Sequence, residues 1–350
     1  MVDWSLARRI AHLAAGSGEA PPLEVDLSAL AREMEPHVAE RTGLVLARPA
    51  PEVELLGRTE WADMNLTVLA GLLDPVASRL EDRLAFAGPL APPLRAAARA
   101  TLAAEAGLVM GYVSQRVLGQ YELSLLQPEA EPRLVLVTPN LARAVRDLRV
   151  DRDSFLGWVV IHELTHVFQF QGVPWLRDHM AGLVREYLST VEVRIEHGAA
   201  GGLPSLPELS KLVDAFREGG LAALVQSGEQ KALLARLQAA MAVIEGYSEH
   251  VMDALGADLL EAYDGLRAAM ERRRRSRSAP ERILERLLGL QLKLRQYERG
   301  KSFCDGVASR GGMDALNRVW DGPEALPTEG ELARPDAWLR RVAGTAPAAA

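Results

Sequence analysis

Apolar residues along this chain recur mostly at helical intervals. Trp4, Leu6, Ile10 and Leu13 mark a short helix over residues 3–15, closed by Gly16-Ser17-Gly18 and Pro21-Pro22. Asp26 or Ser28 can cap a second helix reaching about residue 42, and Arg48-Pro49-Ala50-Pro51 reads as a turn or linker. Residues 58–85 carry Trp61, Met64, Leu66, Leu69, Leu73, Val76 and Leu80 on one long helix, which Pro75 is expected to break or kink. An alanine-rich helix is predicted over 92–119. The clearest strand is Arg133-Leu134-Val135-Leu136-Val137-Thr138, held between Pro132 and Pro139.

Beyond that strand the helical period returns. Asn140 is expected to cap a helix into Val145, and Asp151 or Asp153 a longer one ending near Gln171-Gly172. Pro174 opens the next, through about residue 196. A loop over 198–207 is followed by helices over 207–218, 229–255, 258–275 and 280–299, then shorter ones over 301–309 and 312–320. Residues 335–342 form a last turn or two, and 344–350 are expected to be disordered. The predicted fold class is mainly α with a small β element.

The helix ending near Gln171 changes the picture from packing to chemistry. It contains Ile161-His162-Glu163-Leu164-Thr165-His166-Val167-Phe168-Gln169-Phe170, a His-Glu-x-x-His pattern. Positions four apart share a helix face, so His162 and His166 can present two imidazoles to one ion. Glu163 sits one step round, where its carboxylate can reach a metal-bound water as general base. The flanks, Phe155-Leu156-Gly157-Trp158-Val159-Val160 and Val167-Phe168-Gln169-Phe170, are almost wholly apolar. Burying these polar groups there without partners would cost about 1–3 kcal/mol each, a penalty that a metal removes.

A catalytic zinc takes three protein ligands and leaves one position open. A metzincin would carry glycine three residues after the second histidine and a further histidine beyond it, but Gln169 and Gly172 stand there. The third ligand must come from further along. The best region is Glu245-Gly246-Tyr247-Ser248-Glu249-His250-Val251-Met252-Asp253, where Glu245, Glu249 and His250 can each bind metal. Glu245 is the choice, because the following glycine lets a second helix approach closely. Glu-Gly-Tyr-Ser also resembles the Glu-Gly-x-Ala helix of glutamate-zincins, whose glutamate is the third ligand. Glu249 and His250 remain alternatives, or neighbours that support the ligands. His179 is assigned a surface or structural role, His197 a helix end, and His12 and His37 no metal spacing.

Composition sets bounds. The chain has 350 residues, 48% hydrophobic and 25% charged, which suits a sizeable globular core. A net charge of −7 argues against a general nucleic-acid binder. The run Arg272-Arg273-Arg274-Arg275-Ser276-Arg277 is accordingly read as a solvated helix end rather than an anion patch. Cys304 is the single cysteine, so no intrachain disulfide forms, and it is read as a small buried hydrophobe. There is no signal-like N-terminus and no long apolar run, so a cytoplasmic protein away from membranes is expected.

These stretches together carry a resemblance. The chain resembles the zincin-like hydrolases, also described as zinc-dependent metalloproteases, one branch of which is associated with biosynthesis of a deazaflavin coenzyme. The matching residues are Gly111-Tyr112-Val113-Ser114-Gln115-Arg116-Val117-Leu118-Gly119-Gln120-Tyr121, Val137-Thr138-Pro139-Asn140, the metal helix, Trp175-Leu176-Arg177 and the 245–253 stretch. The resemblance implies a zincin-like fold and a hydrolase, without naming a substrate. On it, residues 1–50 are read as an N-terminal helical extension, 51–325 as the metallohydrolase domain and 326–350 as a tail.

The leading expectation is a metallopeptidase with one Zn²⁺ on His162, His166 and Glu245, and Glu163 as base. Tyr247, His250 and Arg177 are candidate oxyanion donors. The 133–138 strand, with Asn140, is expected to border the cleft and pair with an extended peptide. Two rivals stand beside it: a zinc-containing scaffold closed by a fourth ligand, and a hydrolase of a non-peptide amide or ester. The sequence leaves the substrate, peptide or small molecule, and the oligomeric state open.

Overall fold

The structure is a computed structural model that describes residues 2–16, 23–84, 91–123, 125, 130–190, 228–275 and 290–343. The expected loop over 198–207, the helix over 207–218, His197 and the 344–350 tail lie outside the described residues. Two helices open the chain, α1 (Trp4–Ala15) and α2 (Leu27–Thr42), capped by the carboxylates of Asp3 and Asp26. They are followed by β1 (Val53–Leu56), α3 (Arg58–Leu84), α4 (Ala91–Ser114), β2 (Gly119–Glu122) and β3 (Arg133–Val137). Next come α5 (Thr138–Leu148), α6 (Arg152–Gly172), α7 (Leu176–Thr190), α8 (Gly228–Leu259) and α9 (Tyr263–Arg275). The described chain closes with α10 (Leu290–Asn317), 3₁₀ turns at Arg318–Trp320 and Pro323–Ala325, α11 (Glu329–Leu332) and α12 (Pro335–Ala343). The fold is mainly helical with one small sheet. Among the described residues no helix is long and apolar enough to cross a membrane.

The sheet has three strands in the order β1-β3-β2. β1 runs parallel to β3 with Val53 opposite Leu134, and β2 runs antiparallel with Gly119 opposite Leu136. Sequence reading found only β3. β1 and β2 are four residues each, and in β2 only Tyr121 favours a strand, so neither carries enough alternation to stand out. β3 is the middle strand with both edges paired, which overturns its expected role as the strand that receives a peptide. Among the described residues, the edge strand on the metal-helix side is β2.

Alternation along β3 divides the interior in two. Leu134 and Leu136 enter a core with Phe155, Leu156, Val160, Ile161, Leu164 and Tyr247. Val135 and Val137 enter a second core with Trp61, Leu66, Ala103 and Ala106. The metal-motif helix α6 lies in the first core, packed by α2 and α8. The N-terminal helix α1 packs on α3 and α4 in the second.

Several boundaries differ from expectation for physical reasons. α3 runs unbroken through Pro75. α4 stops at Ser114 rather than 119, because the chain extends into β2. Asn140 does not cap its own helix. α5 starts at Thr138, and its N-cap Val137 makes no side-chain bond. The Asn140 amide instead donates to the carbonyls of Ser114 and Val117, both at 2.7 Å, and accepts from Arg58 Nε at 2.7 Å. It therefore ties off the end of α4 and fixes the turn that leads into β2. α7 begins at Leu176, after a turn containing Pro174. The helices expected over 280–299 and 301–309 are continuous through Gly300 from Leu290, where the described residues resume, and the expected break before the next helix stands at Gly312, whose φ of 73° leaves the helical region.

Candidate metal centre

α6 is fixed at its start by Asp151, whose carboxylate accepts from Ser154 N–H at 2.7 Å. From there Phe155, Leu156, Val159, Val160, Ile161, Leu164, Val167 and Phe168 are buried, which anchors the helix along most of its circumference. His162 and His166 project from the remaining face, and their Nε2 atoms lie 3.2 Å apart. α8 crosses α6 and brings in Glu245, whose Oε2 is 3.8 Å from His162 Nε2 and 3.6 Å from His166 Nε2. Ligand atoms about 2.0–2.1 Å from one tetrahedral zinc stand about 3.3 Å from each other. The three residues offer atoms all within 4.8 Å, so the donor set and its spacing fit such an ion. Neither Glu249 nor His250 contributes to this cluster.

The outer hydrogen bonds settle which ring nitrogens face the centre. His166 Nδ1–H donates to Gln169 Oε1 at 2.8 Å, and the Gln169 amide donates to the Ile244 carbonyl at 2.8 Å. His162 Nδ1 meets Ser248 Oγ at 3.2 Å, and that hydroxyl donates to the Glu245 carbonyl at 3.0 Å. Both Nε2 atoms are thereby left as acceptors turned toward each other and toward a carboxylate. Gln169 and Ser248 are fully buried and tie α6 to the α8 segment that carries Glu245. Sequence reading missed both roles. The available signals were an amide three residues after His166 within an apolar run, and a hydroxyl one turn after Glu245.

Electrostatics say the centre wants a cation. Burial pushes the His166 imidazole down, but the neighbouring Glu245 and Glu163 carboxylates outweigh it and raise its pKa to about 9. Without an ion, a proton takes its place. Glu163 is 6% exposed. Burial and the Glu245 charge raise its pKa to about 7, against the pull of His166 and the Tyr121 backbone N–H. A carboxylate that titrates near neutrality is suited to taking and returning a proton.

The other residues singled out in the sequence are held elsewhere. Tyr247 is fully buried, its hydroxyl donates to Asn317 Oδ1 at 2.8 Å, and its ring stands edge-on to Trp320. His250 Nδ1 pairs with Asp305 Oδ1 at 2.8 Å. Arg177 donates to the Leu123 carbonyl at 2.7 Å, beyond the end of β2. Glu249 is buried one turn after Glu245. Asn140 serves the sheet as described above. His179 stands edge-on to Trp175, and His12 pairs with Asp63 at 2.9 Å. Cys304 is buried with its thiol pushed up by burial, in keeping with a core role. Arg272 ends on an exposed part of α9.

A sequence model of a zincin-like metallopeptidase family matches residues 2–339. The chain is similar to a crystal structure from Chloroflexus aurantiacus described as a "putative hydrolase with a novel fold". The identity is 28%, the TM-score 0.71, and the likeness covers 99% of this chain and 100% of that one. No protein of curated function matches the chain.

Proposed function

We propose that this chain, which belongs to the zincin-like metallopeptidase family, is a zinc-dependent hydrolase of peptide bonds. His162, His166 and Glu245 are the zinc ligands in this reading, and Glu163 is the general base. One observation carries it: two imidazole nitrogens and a carboxylate oxygen converge within 4.8 Å, next to a buried carboxylate whose pKa is raised to about 7. A zinc ion held there supplies a Lewis acid that acidifies water toward a pKa of about 7 and polarises a carbonyl.

The residues of the chain do the rest. Glu163 accepts the proton of the attacking water on its carboxylate and returns it to the departing amine nitrogen. Gln169 and Ser248 hold the two imidazoles in the tautomer that offers Nε2 to the centre. Glu163 is largely shielded from bulk water, with β2 packed against its side chain. Three residues converge here among those described, and a zinc held by three protein ligands would keep a position for water, which favours turnover over a closed structural zinc. β2 lies beside Glu163 as an edge strand, with its Tyr121 N–H turned to that carboxylate. With one cysteine, and that one buried, we take the enzyme to be cytoplasmic.

The test is metal analysis followed by mass-spectrometric profiling of a peptide library with the zinc-loaded protein. One zinc per chain and a defined cleavage pattern are expected. Glu163→Gln should keep the zinc and lose about 10²–10⁴-fold in turnover. Full activity in that variant would overturn the mechanism. An intact zinc with no peptide cleaved would move the reading to a non-peptide amide or ester.

A further inference from the structure

Glu163 is roofed by the first residue of β2. A Cβ at Gly119 would lie 2.8 Å from Glu163 Cγ, 2.8 Å from Glu163 Oε1 and 2.8 Å from Leu136 Cδ2. A Cβ essentially never makes contacts that short, so a side chain at position 119 would oblige the Glu163 side chain and the Leu136 tip to shift. The usual reason for a glycine is absent here. The positive-φ glycines among the described residues are Gly16, Gly43 and Gly312, and Gly119 is not one of them. A glycine inside a strand also weakens the strand. What position 119 requires is the missing side chain.

No other described glycine stands this way toward Glu163. The close approaches at Gly107, Gly111, Gly246 and Gly300 are helix-on-helix contacts. The stretch that delivers Gly119 is anchored from behind. Asn140 holds the carbonyls of Ser114 and Val117, and Val137 N–H donates to the Leu118 carbonyl at 2.9 Å. That bond sets the antiparallel alternation, so the main-chain groups of Gly119 and Tyr121 point away from β3. The Tyr121 N–H accordingly faces Glu163.

We propose that Gly119 is the positioning residue for Glu163, an inference that rests on the reading of Glu163 as general base. The bare Cα of Gly119 lets the β2 backbone close over the carboxylate, beside its cross-strand partner Leu136. Glu163 cannot swing toward the sheet and is kept on the side of His162, His166 and Glu245. A methyl group at position 119 forces the carboxylate aside by about half an ångström, and displacements of this order at a reacting group cost up to about 10²-fold in rate.

The test compares Gly119→Ala with Glu163→Gln and with Gly182→Ala, a helical glycine whose Cβ would meet nothing within 4 Å. All are prepared with zinc, and the metal content is measured. In Gly119→Ala the zinc stoichiometry should be that of the wild type, while kcat falls about 10–100-fold at nearly constant KM. Binding of acetohydroxamate, which chelates zinc and donates a hydrogen bond to the adjacent base, should weaken as it does in Glu163→Gln. Gly182→Ala should change neither. Wild-type kcat and wild-type acetohydroxamate affinity in Gly119→Ala overturn the proposal while leaving the catalytic reading intact. A wild-type protein that neither cleaves peptides nor binds acetohydroxamate overturns both. A general folding defect is separated by a double-mutant cycle in melting temperature. The drop caused by Gly119→Ala must shrink when Glu163→Ala has removed the carboxylate, and equal drops in the two backgrounds overturn the proposal.

Discussion

Gly246 packs backbone to backbone on Gly300: a Cβ on Gly246 would lie 2.1 Å from the Gly300 carbonyl carbon. The reverse contact is as close, since a Cβ on Gly300 would meet the Ala242 carbonyl oxygen at 1.8 Å. α8 and α10 therefore touch through their main chains at the residue next to Glu245. The proposed third ligand is set by a helix crossing that tolerates no side chain. Gly300→Ala should separate the helices, lower stability by about 1–3 kcal/mol and carry Glu245 away from the histidines. Thermal melts and competition with a zinc chelator read the two effects, and an unchanged zinc affinity would show that the crossing does not place Glu245.

Gln169 links His166 to the Ile244 carbonyl across the same two helices. Gln169→Ala should loosen the His166 tautomer and weaken zinc binding by about 10–100-fold. Gln169→Glu is the sharper probe. A carboxylate can still accept from His166, but it cannot donate to Ile244. Chelator competition should rank the affinities wild type, then Gln169→Glu, then Gln169→Ala. Equal affinities in all three would dismiss the bridge.

Stability of the metal-free protein should fall as pH rises. The pKa of Glu163 is raised from 4.5 to about 7 and that of His166 from 6.5 to about 9. The folded chain thus holds more protons than the unfolded one. The contribution of Glu163 is full below pH 4.5 and lost as pH passes 7. The contribution of His166 is full below 6.5 and lost as pH passes 9. Melting temperatures in chelator should decline between about pH 5 and 9. Zinc displaces the His166 proton and its charge disfavours one on Glu163, so the gain on adding it should grow over the same range. A metal-free profile that stays flat or rises would contradict the assignment.

Asn140→Asp keeps the side-chain volume but turns a donor toward two carbonyls into an acceptor. It should cost about 2–4 kcal/mol through unsatisfied and repelling groups, read as a lower denaturation midpoint. Zinc stoichiometry should be unaffected, because Asn140 touches α3, α4 and the turn before β2 rather than the histidines. Zinc loss in a folded Asn140→Asp protein would return this residue to the metal cleft.

What was legible in the sequence was local. The α6 boundaries follow from Asp151 and the apolar run, and the grouping of His162 with His166 follows from helical pitch. Glu245 was reachable because an acidic residue beside a glycine in an apolar helix demands both a partner and a close neighbour. The neighbour is α10, through Gly300, which carries no mark in its own sequence. Asn140 was read as a local cap because capping is a short-range rule, whereas its partners lie 23 and 26 residues earlier. Gln169 entered only as a glycine that was not there. β1 and β2 escaped because their stability comes from pairing with β3, not from their own residues.

The bare position at Gly119 also bears on how the sheet finds its pairing. β2 is short and offers little hydrophobic alternation to fix its alignment. If it slid along β3 by one place, Leu118 or Gln120 would arrive over Glu163, and each brings a Cβ into space the carboxylate fills. Only the alignment that sets Gly119 opposite Leu136 lets the glutamate turn inward. The proposed general base thus also disfavours a one-residue slip of the sheet, since any Cβ arriving there would meet its side chain.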